Sequence, residues 1–263
     1  MLLTVNNKHA YAYGGGKAFD TRLPTVMFVH GAQHDHSVWI LQSRYLAHHG
    51  YGVLALDLPG HGRSAGPALD SVEALAEWVI DVQDAAGVNE AAIVGHSMGS
   101  LIALECAARH PGRVAKIALL ATAYPMKVSV ELLQATKDDE RRAQDMVNIW
   151  SHSAYAHYPN NPGPGFWIIG ENLRLMQRQK PGVMHVDFAA CNAYAGGAEA
   201  AAKVRCPALF LLARRDAMTL VRAAQDFAKS ITRAQLVIID GSGHNMMGEQ
   251  PDQVLDTLLA FLH

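Results

Sequence analysis

Short apolar runs alternate with longer amphipathic stretches along most of this chain of 263 residues. The apolar runs predict buried strands at residues 26–30, 53–56, 91–94, 117–120, 209–212 and 236–239. The amphipathic stretches predict helices at residues 38–49, 71–86, 100–110, 221–229 and 252–262. Because strands and helices alternate, we predict an α/β fold with a mostly parallel sheet that helices cover on both faces.

The alternation stops in the stretch from about residue 124 to residue 204. This stretch contains helical patches at residues 131–150 and 166–178. Between the two patches, residues 158–165 (YPNNPGPG) are too rich in proline and glycine for regular structure. We therefore divide the chain into a core of residues 1–123 and 205–263 and a helical unit of residues 124–204.

The composition agrees with a single domain of this type and limits the classes of partner that the protein could bind. Hydrophobic residues make up 50% of the chain and charged residues 17%, which suits a large buried sheet. The net charge is −2 and no strongly basic segment occurs, so nucleic-acid binding has no electrostatic support. No run approaches the ~18 apolar residues that a membrane span needs, and we expect no membrane partner.

Two further features bear on the cellular compartment. Residues 1–6 lack the basic region and the long apolar stretch of a signal peptide and predict a first strand instead. Cys106, Cys191 and Cys206 are odd in number and widely spaced, which predicts buried free thiols in a reducing compartment. We therefore expect a cytoplasmic protein, and the sequence makes no prediction of its oligomeric state.

A candidate nucleophile lies in residues 94–100 (VGHSMGS), between a predicted strand and a predicted helix. Gly95 and Gly99 bracket Ser97 at the G-x-S-x-G spacing. Glycine is favoured where a sharp turn brings backbone segments together, and such a turn exposes the serine hydroxyl at the edge of the sheet. The N-terminus of the following helix directs backbone N–H groups towards negative charge that develops beside the serine.

A serine nucleophile needs a general base and an acid that orients the base. His244 is the candidate base, because it follows a predicted strand and a Gly-Ser-Gly turn. Asp216 is the candidate acid, since it comes shortly after the strand at residues 209–212; capping of the next helix is a compatible role. Asp240 also ends a strand and is the alternative acid, although it lies close to His244 in the turn itself.

These residues resemble the α/β-hydrolase superfamily, and the resemblance extends over nearly the whole chain. Three further segments match its motifs in order: residues 28–32 (FVHGA), 56–64 (LDLPGHGRS) and 243–251 (GHNMMGEQP). The match is closest to the capped serine hydrolases that act on small molecules. The resemblance implies that residues 124–204 form a helical cap inserted after strand 6.

The resemblance also implies roles for individual residues. Ser97, Asp216 and His244 would form a catalytic triad, and the backbone N–H groups of Ala32 and Met98 an oxyanion hole. His61, in the turn after strand 4, is expected to have a structural role. No cofactor is implied.

We expect substrate contacts from two places. Gln33 and His36 follow Ala32, and we expect one of them to reach a substrate oxygen. A metal site at residues 33–36 is not expected, because adjacent positions do not easily face one ion. The helical unit is rich in residues that suit an apolar pocket, some of which simply pack it onto the core: Trp150, Tyr155, His157, Tyr158, Phe166, Trp167, Met176, Met184, His185, Phe188 and Tyr194. Among them, Trp150, Tyr155 and Trp167 are the candidate substrate contacts.

The expected reaction is acyl transfer from a small or medium acyl or aromatic ester to water. Amides, lactones and thioesters use the same groups and stay open. A carbon–carbon bond hydrolase is the main alternative, although Asn245 stands where that class usually has tryptophan. A serine at the nucleophile position disfavours dehalogenases and epoxide hydrolases, and Ala32 disfavours cofactor-free haloperoxidases. A ligand-binding receptor on the same fold is the remaining alternative.

Overall fold

The computed structural model describes residues 1–157 and 167–263. The predicted loop at residues 158–165, Tyr158 within it, and Phe166 lie outside the described residues. The described strands are β1 (Leu2–Val5), β2 (Lys8–Tyr13), β3 (Thr25–Val29), β4 (Gly52–Leu56), β5 (Ala91–His96), β6 (Val114–Leu120), β7 (Ala208–Ala213) and β8 (Ala234–Ile239). They form one sheet in the order β1-β2-β4-β3-β5-β6-β7-β8, in which β1 and β2 are antiparallel and the others parallel.

Helices cover both faces of this sheet, so the predicted fold class is confirmed. The helices that accompany the strands are α1 (Ile40–His48), α2 (Val72–Ala85), α3 (Met98–Arg109), α9 (Val221–Ala228), α10 (Met246–Glu249) and α11 (Pro251–Leu262). The helices between β6 and β7 are α4 (Val130–Asp138), α5 (Glu140–Trp150), α6 (Ile168–Gln177), α7 (Val183–Ala193) and α8 (Gly197–Lys203). Short 3₁₀ helices occur at His36–Trp39 and Ala154–His157. No helix in the described ranges is long and apolar enough to span a bilayer.

The central strands are mostly apolar because both of their faces are buried. In β3, Met27 and Val29 belong to the apolar cluster under α2 and α3. Val26 and Phe28 belong to the cluster under α1 and α11 on the opposite face. Successive side chains of a strand point to opposite faces, so a strand between two helical layers has apolar residues at most positions on both faces. The apolar runs at the predicted core strands follow from this arrangement.

The structure differs from the predicted elements in several places, which include the short helix α10. Residues 131–150, predicted as one helical patch, form two helices, because the side chain of Asp139 accepts a hydrogen bond from the N–H of Arg142 and starts α5. Helices α7 and α8 are absent from the prediction, since α7 is largely apolar and α8 consists mostly of alanine and glycine. Strand β2 was not predicted either; it pairs with β1 in a hairpin at the edge of the sheet.

Helices α4 to α7 share a small apolar cluster of their own, which includes Leu132, Val147, Met184 and Phe188. We call these helices, residues 130–193, the insert. In contrast, α8 packs on α3, and its Ala200 and Ala201 belong to the cluster of the sheet. The division of the chain at residues 124 and 204 stays a prediction, and α8 lies with the sheet rather than with the insert.

Candidate active site

Ser97 lies between β5 and α3, in a tight bend that we call the serine turn (residues 95–99). Its φ of 53° and ψ of −118° are unusual for a residue with a side chain. A Cβ atom on Gly95 would overlap the carbonyl group of Gly99, and one on Gly99 would overlap the carbonyl group of Val29. Both glycines are therefore required by close backbone approach. The N–H of Ser97 donates to the carbonyl oxygen of Leu120 on β6 at 2.9 Å.

His244 and Asp216 lie together at the same edge of the sheet. The Nδ1 atom of His244 is 2.8 Å from Oδ2 of Asp216, and both side chains are buried. The Oδ1 atom of Asp216 accepts hydrogen bonds from the N–H groups of Met218 and Thr219, each at 2.8 Å. Burial alone would raise the pKa of Asp216, but the His244 imidazole and the donors of Thr219 hold this pKa below its usual range.

The alternative acid, Asp240, has a different environment. Its side chain is 73% exposed and forms an ion pair with Arg214. The carboxylate that reaches the His244 imidazole is therefore that of Asp216. The expectation that Asp216 also caps the next helix is wrong, because the N-cap of α9 is Leu220 and the Asp216 carboxylate instead closes the turn before this helix.

Two buried groups fix the loop that carries His244. The Nε2–H of His96 donates to the carbonyl oxygen of His244 at 2.9 Å, and burial lowers the pKa of His96 well below its usual value. The Oε1 atom of Glu249 accepts from the N–H of Gly243 at 2.8 Å, and its Oε2 accepts from the hydroxyl group of Ser153 at 2.5 Å. The sequence analysis missed both His96 and Glu249 as supports of His244.

Residues 30–36 connect β3 to the first 3₁₀ helix, and we call them the β3 loop. A Cβ atom on Gly31 would lie only 3.2 Å from Cβ of Ser97, so the loop and the serine turn are in close contact. Within the described residues, the N–H groups of Ala32 and Met98 donate no hydrogen bond. Two unpaired donors therefore flank the serine, as an oxyanion hole requires.

A cavity of about 380 Å³ opens onto Ser97 and Ala32. The other described residues that line it are Met126, Lys127, Val128, Ser129, Leu132, Trp150, Phe188, Cys191, Ala217, Met218 and Thr219. Lys127 is the one charged side chain among these described lining residues, and its Nζ atom donates to the carbonyl oxygen of Asn192 at 2.9 Å. The described lining of the cavity is therefore mostly apolar.

The cavity includes only one of the three aromatic residues that were expected to contact substrate, Trp150. Trp167 is 75% exposed and is not among the described lining residues. Tyr155 packs its ring under the guanidinium group of Arg215, 4.3 Å from the ring centroid, and also lies outside the described lining. The structure therefore corrects the expectation for Trp167 and Tyr155, because an aromatic residue in a cap faces either the pocket or the surface.

Gln33 also does not reach the cavity. It is fully buried, and its Nε2 atom donates to Oε1 of Glu140 at 3.1 Å and to the carbonyl oxygen of Met176 at 3.0 Å. The expectation that Gln33 contacts substrate is therefore corrected, since its amide is used to bind the insert.

His36 is likewise directed away from the cavity. Its Nδ1 atom is 2.6 Å from Oδ1 of Asp57, and its ring packs against Tyr11 and Tyr13. The expected substrate contact of His36 is therefore corrected too. Asp35, His36 and Asp57 lie within 4.8 Å of one another, but Asp35 is already paired with the cationic Arg178. This pairing makes the cluster a hydrogen-bonded set rather than a good cation site.

Three consecutive residues of the β3 loop bind the insert. The N–H of Gln33 donates to Oδ2 of Asp187 at 2.7 Å, and Nε2 of His34 is 2.8 Å from Oδ1 of Asn172. The Oδ2 atom of Asp35 accepts from Arg178 at 2.7 Å and from Gln179 at 2.9 Å. Burial would raise the pKa of Asp35, but Arg178 holds this pKa well below its usual range.

His61 and Asp187 form a buried ion pair, and each side chain is only 1% exposed. The Nε2 atom of His61 is 2.8 Å from Oδ2 of Asp187, and its Nδ1 atom is 3.1 Å from the carbonyl oxygen of Pro59. Burial lowers the pKa of His61, but the charge of Asp187 outweighs it and raises this pKa above its usual value. The sequence analysis missed Asp187, although a lone carboxylate in the apolar helix α7 is a signal for a buried partner.

Comparison with known proteins gives the family. A family model described as "alpha/beta hydrolase fold" matches residues 24–251. The chain is also 31% identical, over 229 residues, to the pimeloyl-[acyl-carrier protein] methyl ester esterase of Chromobacterium violaceum; the match covers 84% of this chain and 87% of that protein. The chain therefore belongs to the alpha/beta hydrolase family.

More distant relatives resemble the chain over nearly its whole length. The (E)-2-((N-methylformamido)methylene)succinate hydrolase of Acinetobacter baylyi is 22% identical to this chain. The match covers 98% of this chain and 95% of the length of that hydrolase. Among solved structures, the enol-lactonase from Burkholderia xenovorans has a TM-score of 0.87 at 22% identity and covers 100% of this chain and 99% of its own. An esterase from Exiguobacterium antarcticum has a TM-score of 0.85 at 18% identity, and the match covers 100% of this chain and 98% of the esterase chain. At these identities the structural matches show the fold.

Proposed function

We propose that this alpha/beta hydrolase is a serine hydrolase that cleaves a carboxylic ester of a small or medium acyl or aromatic substrate. The proposal is carried by one observation: Ser97 stands on a strained turn at an apolar cavity, directly after His96, whose ring lies 4.8 Å from the ring of His244 in the His244–Asp216 pair. The relatives named above for ester and lactone cleavage agree with this chemistry.

The reaction proceeds through an acyl-enzyme. The Oγ atom of Ser97 attacks the carbonyl carbon of the ester while Nε2 of His244 takes its proton, and Asp216 stabilises the resulting imidazolium. The negative charge on the carbonyl oxygen accepts hydrogen bonds from the N–H groups of Ala32 and Met98; each such donor is typically worth ~10²–10³ in rate. His244 then protonates the leaving alcohol. A water molecule, deprotonated by His244, attacks the acyl carbon and releases the acid and Ser97.

The cavity determines the kind of acyl group. Its volume of about 380 Å³ lies near the lower end of the range for small-molecule sites. Trp150, Phe188 and Leu132 give it an apolar wall, which suits an aliphatic or aromatic acyl group. Lys127 is also a lining residue, but it is exposed and its Nζ atom binds Asn192, so we expect only a small preference for an acyl group that carries a carboxylate.

The test is the time course of hydrolysis of p-nitrophenyl esters, from acetyl to decanoyl, with benzoyl and hemisuccinyl esters beside them. We expect multiple turnover with an optimum at short or medium chains. Ser97→Ala should lower kcat by ~10⁴-fold or more while the thermal unfolding midpoint stays close to that of the parent protein. Undiminished turnover in Ser97→Ala would disprove the assignment. A single stoichiometric burst without further turnover would instead indicate the receptor function.

If no ester is turned over, labelling with a fluorophosphonate separates two cases. Labelling of Ser97 would show a competent nucleophile and exclude the ester class, so that carbon–carbon substrates would be the next panel. Absence of labelling would exclude the serine hydrolase itself.

A further inference from the structure

We propose that Asp187 is a positioning residue, which holds the β3 loop in the shape that binds the oxyanion. Its carboxylate comes from α7 of the insert and meets the loop one residue after Ala32. The inference rests on the proposed function, because that function assigns the N–H of Ala32 to the oxyanion hole. It makes the insert part of the catalytic apparatus and not only a cover over the cavity.

The first observation is the backbone strain beside Ala32. Gln33 has a φ of 59°, in the left-handed region that residues with side chains rarely occupy. Such a conformation persists only where the surroundings hold it. The N–H of Gln33 donates to Oδ2 of Asp187 at 2.7 Å, and this bond fixes the peptide plane that joins Ala32 to Gln33. The direction of the loop at Ala32 therefore depends on the Asp187 carboxylate.

The second observation is that the carboxylate has a counterion. The same Oδ2 atom of Asp187 lies 2.8 Å from Nε2 of His61, and both side chains are buried. A buried carboxylate is costly unless a cation and hydrogen-bond donors compensate it. Both ring nitrogens of His61 face acceptors, so the imidazolium form satisfies the site. A charged pair gives a short, strong bond to the Gln33 N–H, which a neutral acceptor would weaken.

The third observation is that His61 also reaches the other end of the loop. The ring of His61 packs on the ring of His30, with centroids 4.9 Å apart. Burial and the neighbouring His61 lower the pKa of His30 to about 4, so His30 is neutral. Its Nδ1–H donates to the carbonyl oxygen of Gly31 at 2.8 Å, while its Nε2 accepts from the N–H of Leu58. The Asp187–His61 pair thus supports the loop on both sides of Ala32.

The test compares Asp187→Asn and Asp187→Ala with the parent enzyme on the best p-nitrophenyl ester. Asparagine keeps an acceptor for one donor but loses the charge that pairs with His61. We expect kcat to fall ~10-fold to 100-fold for Asp187→Asn and ~100-fold to 1000-fold for Asp187→Ala, the size of a lost oxyanion donor. KM should change less than about threefold, because the cavity walls stay in place.

A boronic acid that forms a tetrahedral adduct with Ser97 provides a readout that does not need turnover. Its affinity should fall in parallel with kcat, because the adduct places an oxygen in the oxyanion hole. If the parent enzyme hydrolyses no ester but binds the boronic acid, the proposed ester function fails while the role of Asp187 is still tested.

The matched control is Tyr194→Phe, at the end of α7. The Tyr194 hydroxyl donates to Oε1 of Glu105 at 2.5 Å in a buried contact that does not involve the β3 loop. This variant should lower the unfolding midpoint and leave kcat within about twofold. If Asp187→Asn behaves in the same way, with reduced stability and unchanged kcat and boronic-acid affinity, the positioning role is overturned.

A double variant covers the case in which unpaired His61 prevents folding. His61→Gln combined with Asp187→Asn replaces the ion pair by two amides that can hydrogen-bond each other. We expect the double variant to recover at least about fivefold in kcat over Asp187→Asn alone. If the loss in kcat of the double variant equals the product of the losses of His61→Gln and Asp187→Asn, the two residues act independently, and this result contradicts the inference.

Discussion

The serine turn and the β3 loop lie at the same edge of the sheet, on the neighbouring parallel strands β5 and β3. Each carries a residue with a side chain and a positive φ, 53° for Ser97 and 59° for Gln33. The turn is held by main-chain atoms of the sheet itself, through the close approach that Gly95 and Gly99 permit. The loop is held by side chains of the insert, among them Asp187.

This difference separates local from remote control of the candidate site. The serine turn needs only its own glycines and the adjacent strands, so it forms wherever the sheet forms. The β3 loop needs partners far along the chain, since Gln33 and Asp187 are 154 positions apart. The proposed nucleophile and the proposed donor Met98 are thus built by the core of the protein, whereas we expect the direction of the other proposed donor, Ala32, to depend on how the insert docks.

The largest effect is expected when the serine turn is broken. In Gly99→Ala the new Cβ atom would overlap the carbonyl group of Val29, which belongs to the central strand β3 and cannot move aside. We expect a loss of more than ~3 kcal/mol in the free energy of unfolding, or no folded protein. Thermal unfolding followed by circular dichroism measures this loss.

Gly112→Ala is the matched control for that prediction. A Cβ atom on Gly112 would meet no atom within 4 Å, and the backbone there does not need a positive φ. We expect an unchanged or slightly raised midpoint, because alanine restricts the unfolded chain. Equal stability of the two variants would show that the turn is not held by close backbone approach.

The next largest effect is expected for the loop after β7 that carries Asp216. Like the serine turn, this loop is held by contacts close by in the sequence. Its carboxylate is anchored by Met218 and Thr219, within three positions, so Asp216→Asn should leave the fold intact. The variant should lower kcat by about 10⁴-fold, because asparagine does not stabilise the imidazolium or fix the tautomer of His244. Steady-state hydrolysis with Asp240→Asn as control decides the assignment, since Asp240 is exposed and paired with Arg214. Loss of activity in Asp240→Asn alone would reverse it.

The same distinction explains what the sequence could predict. The serine turn, the strand-end positions of Asp216 and His244, and the core strands all follow from patterns within a few residues, and the structure has these elements. The anchors of the β3 loop follow no such pattern. Asp187 lies in an apolar helix that periodicity did not reveal, and its partner His61 is in another part of the chain.

The wrong expectations for Gln33 and His36 have the same cause. A polar side chain in a loop next to a nucleophile points either to substrate or to a neighbouring element. Only the packing of a remote segment decides between the two, and that segment is the insert for Gln33 and the turn after β4 for His36. Gln33 binds Glu140 and Met176, and His36 binds Asp57.

A smaller effect is expected from pH, and two of the groups that cause it hold the β3 loop. The pKa of His61 is raised in the folded protein, so its contribution to stability is complete below the unfolded value of ~6.5. This contribution is lost as pH rises through the folded pKa. The pKa of Asp35 is lowered, so its contribution is complete above ~3.9 and is lost as pH falls.

Urea unfolding of the parent protein and of His61→Gln tests the alkaline side. The difference in unfolding free energy between the two proteins should be largest near pH 6 and should shrink towards higher pH. A difference that is constant from pH 6 to pH 10 would mean that His61 is not held in its charged form by Asp187.

The smallest effect is expected at the outer anchor of the loop, Arg178. Its guanidinium group binds Asp35 two residues beyond Gln33, but the side chain is 49% exposed and its ion pair is screened by water and salt. Asp35 also keeps the hydrogen bond from Gln179 and that from the N–H of Ser37. We therefore expect Arg178→Gln to cost about 0.5–1 kcal/mol of unfolding free energy, less at 0.5 M salt, and to change kcat less than about threefold.

This small effect is informative because Arg178 and Asp187 hold the same loop. If only Asp187→Asn lowers kcat, the shape of the loop at Ala32 depends on the one carboxylate that binds beside it. If Arg178→Gln lowers kcat as strongly, the loop responds to any loss of contact with the insert. In that case the β3 loop would differ from the serine turn because it has many remote contacts, and the Asp187–His61 pair would have no special role. Parallel measurement of kcat, KM and the unfolding midpoint for both variants separates these two forms of remote control.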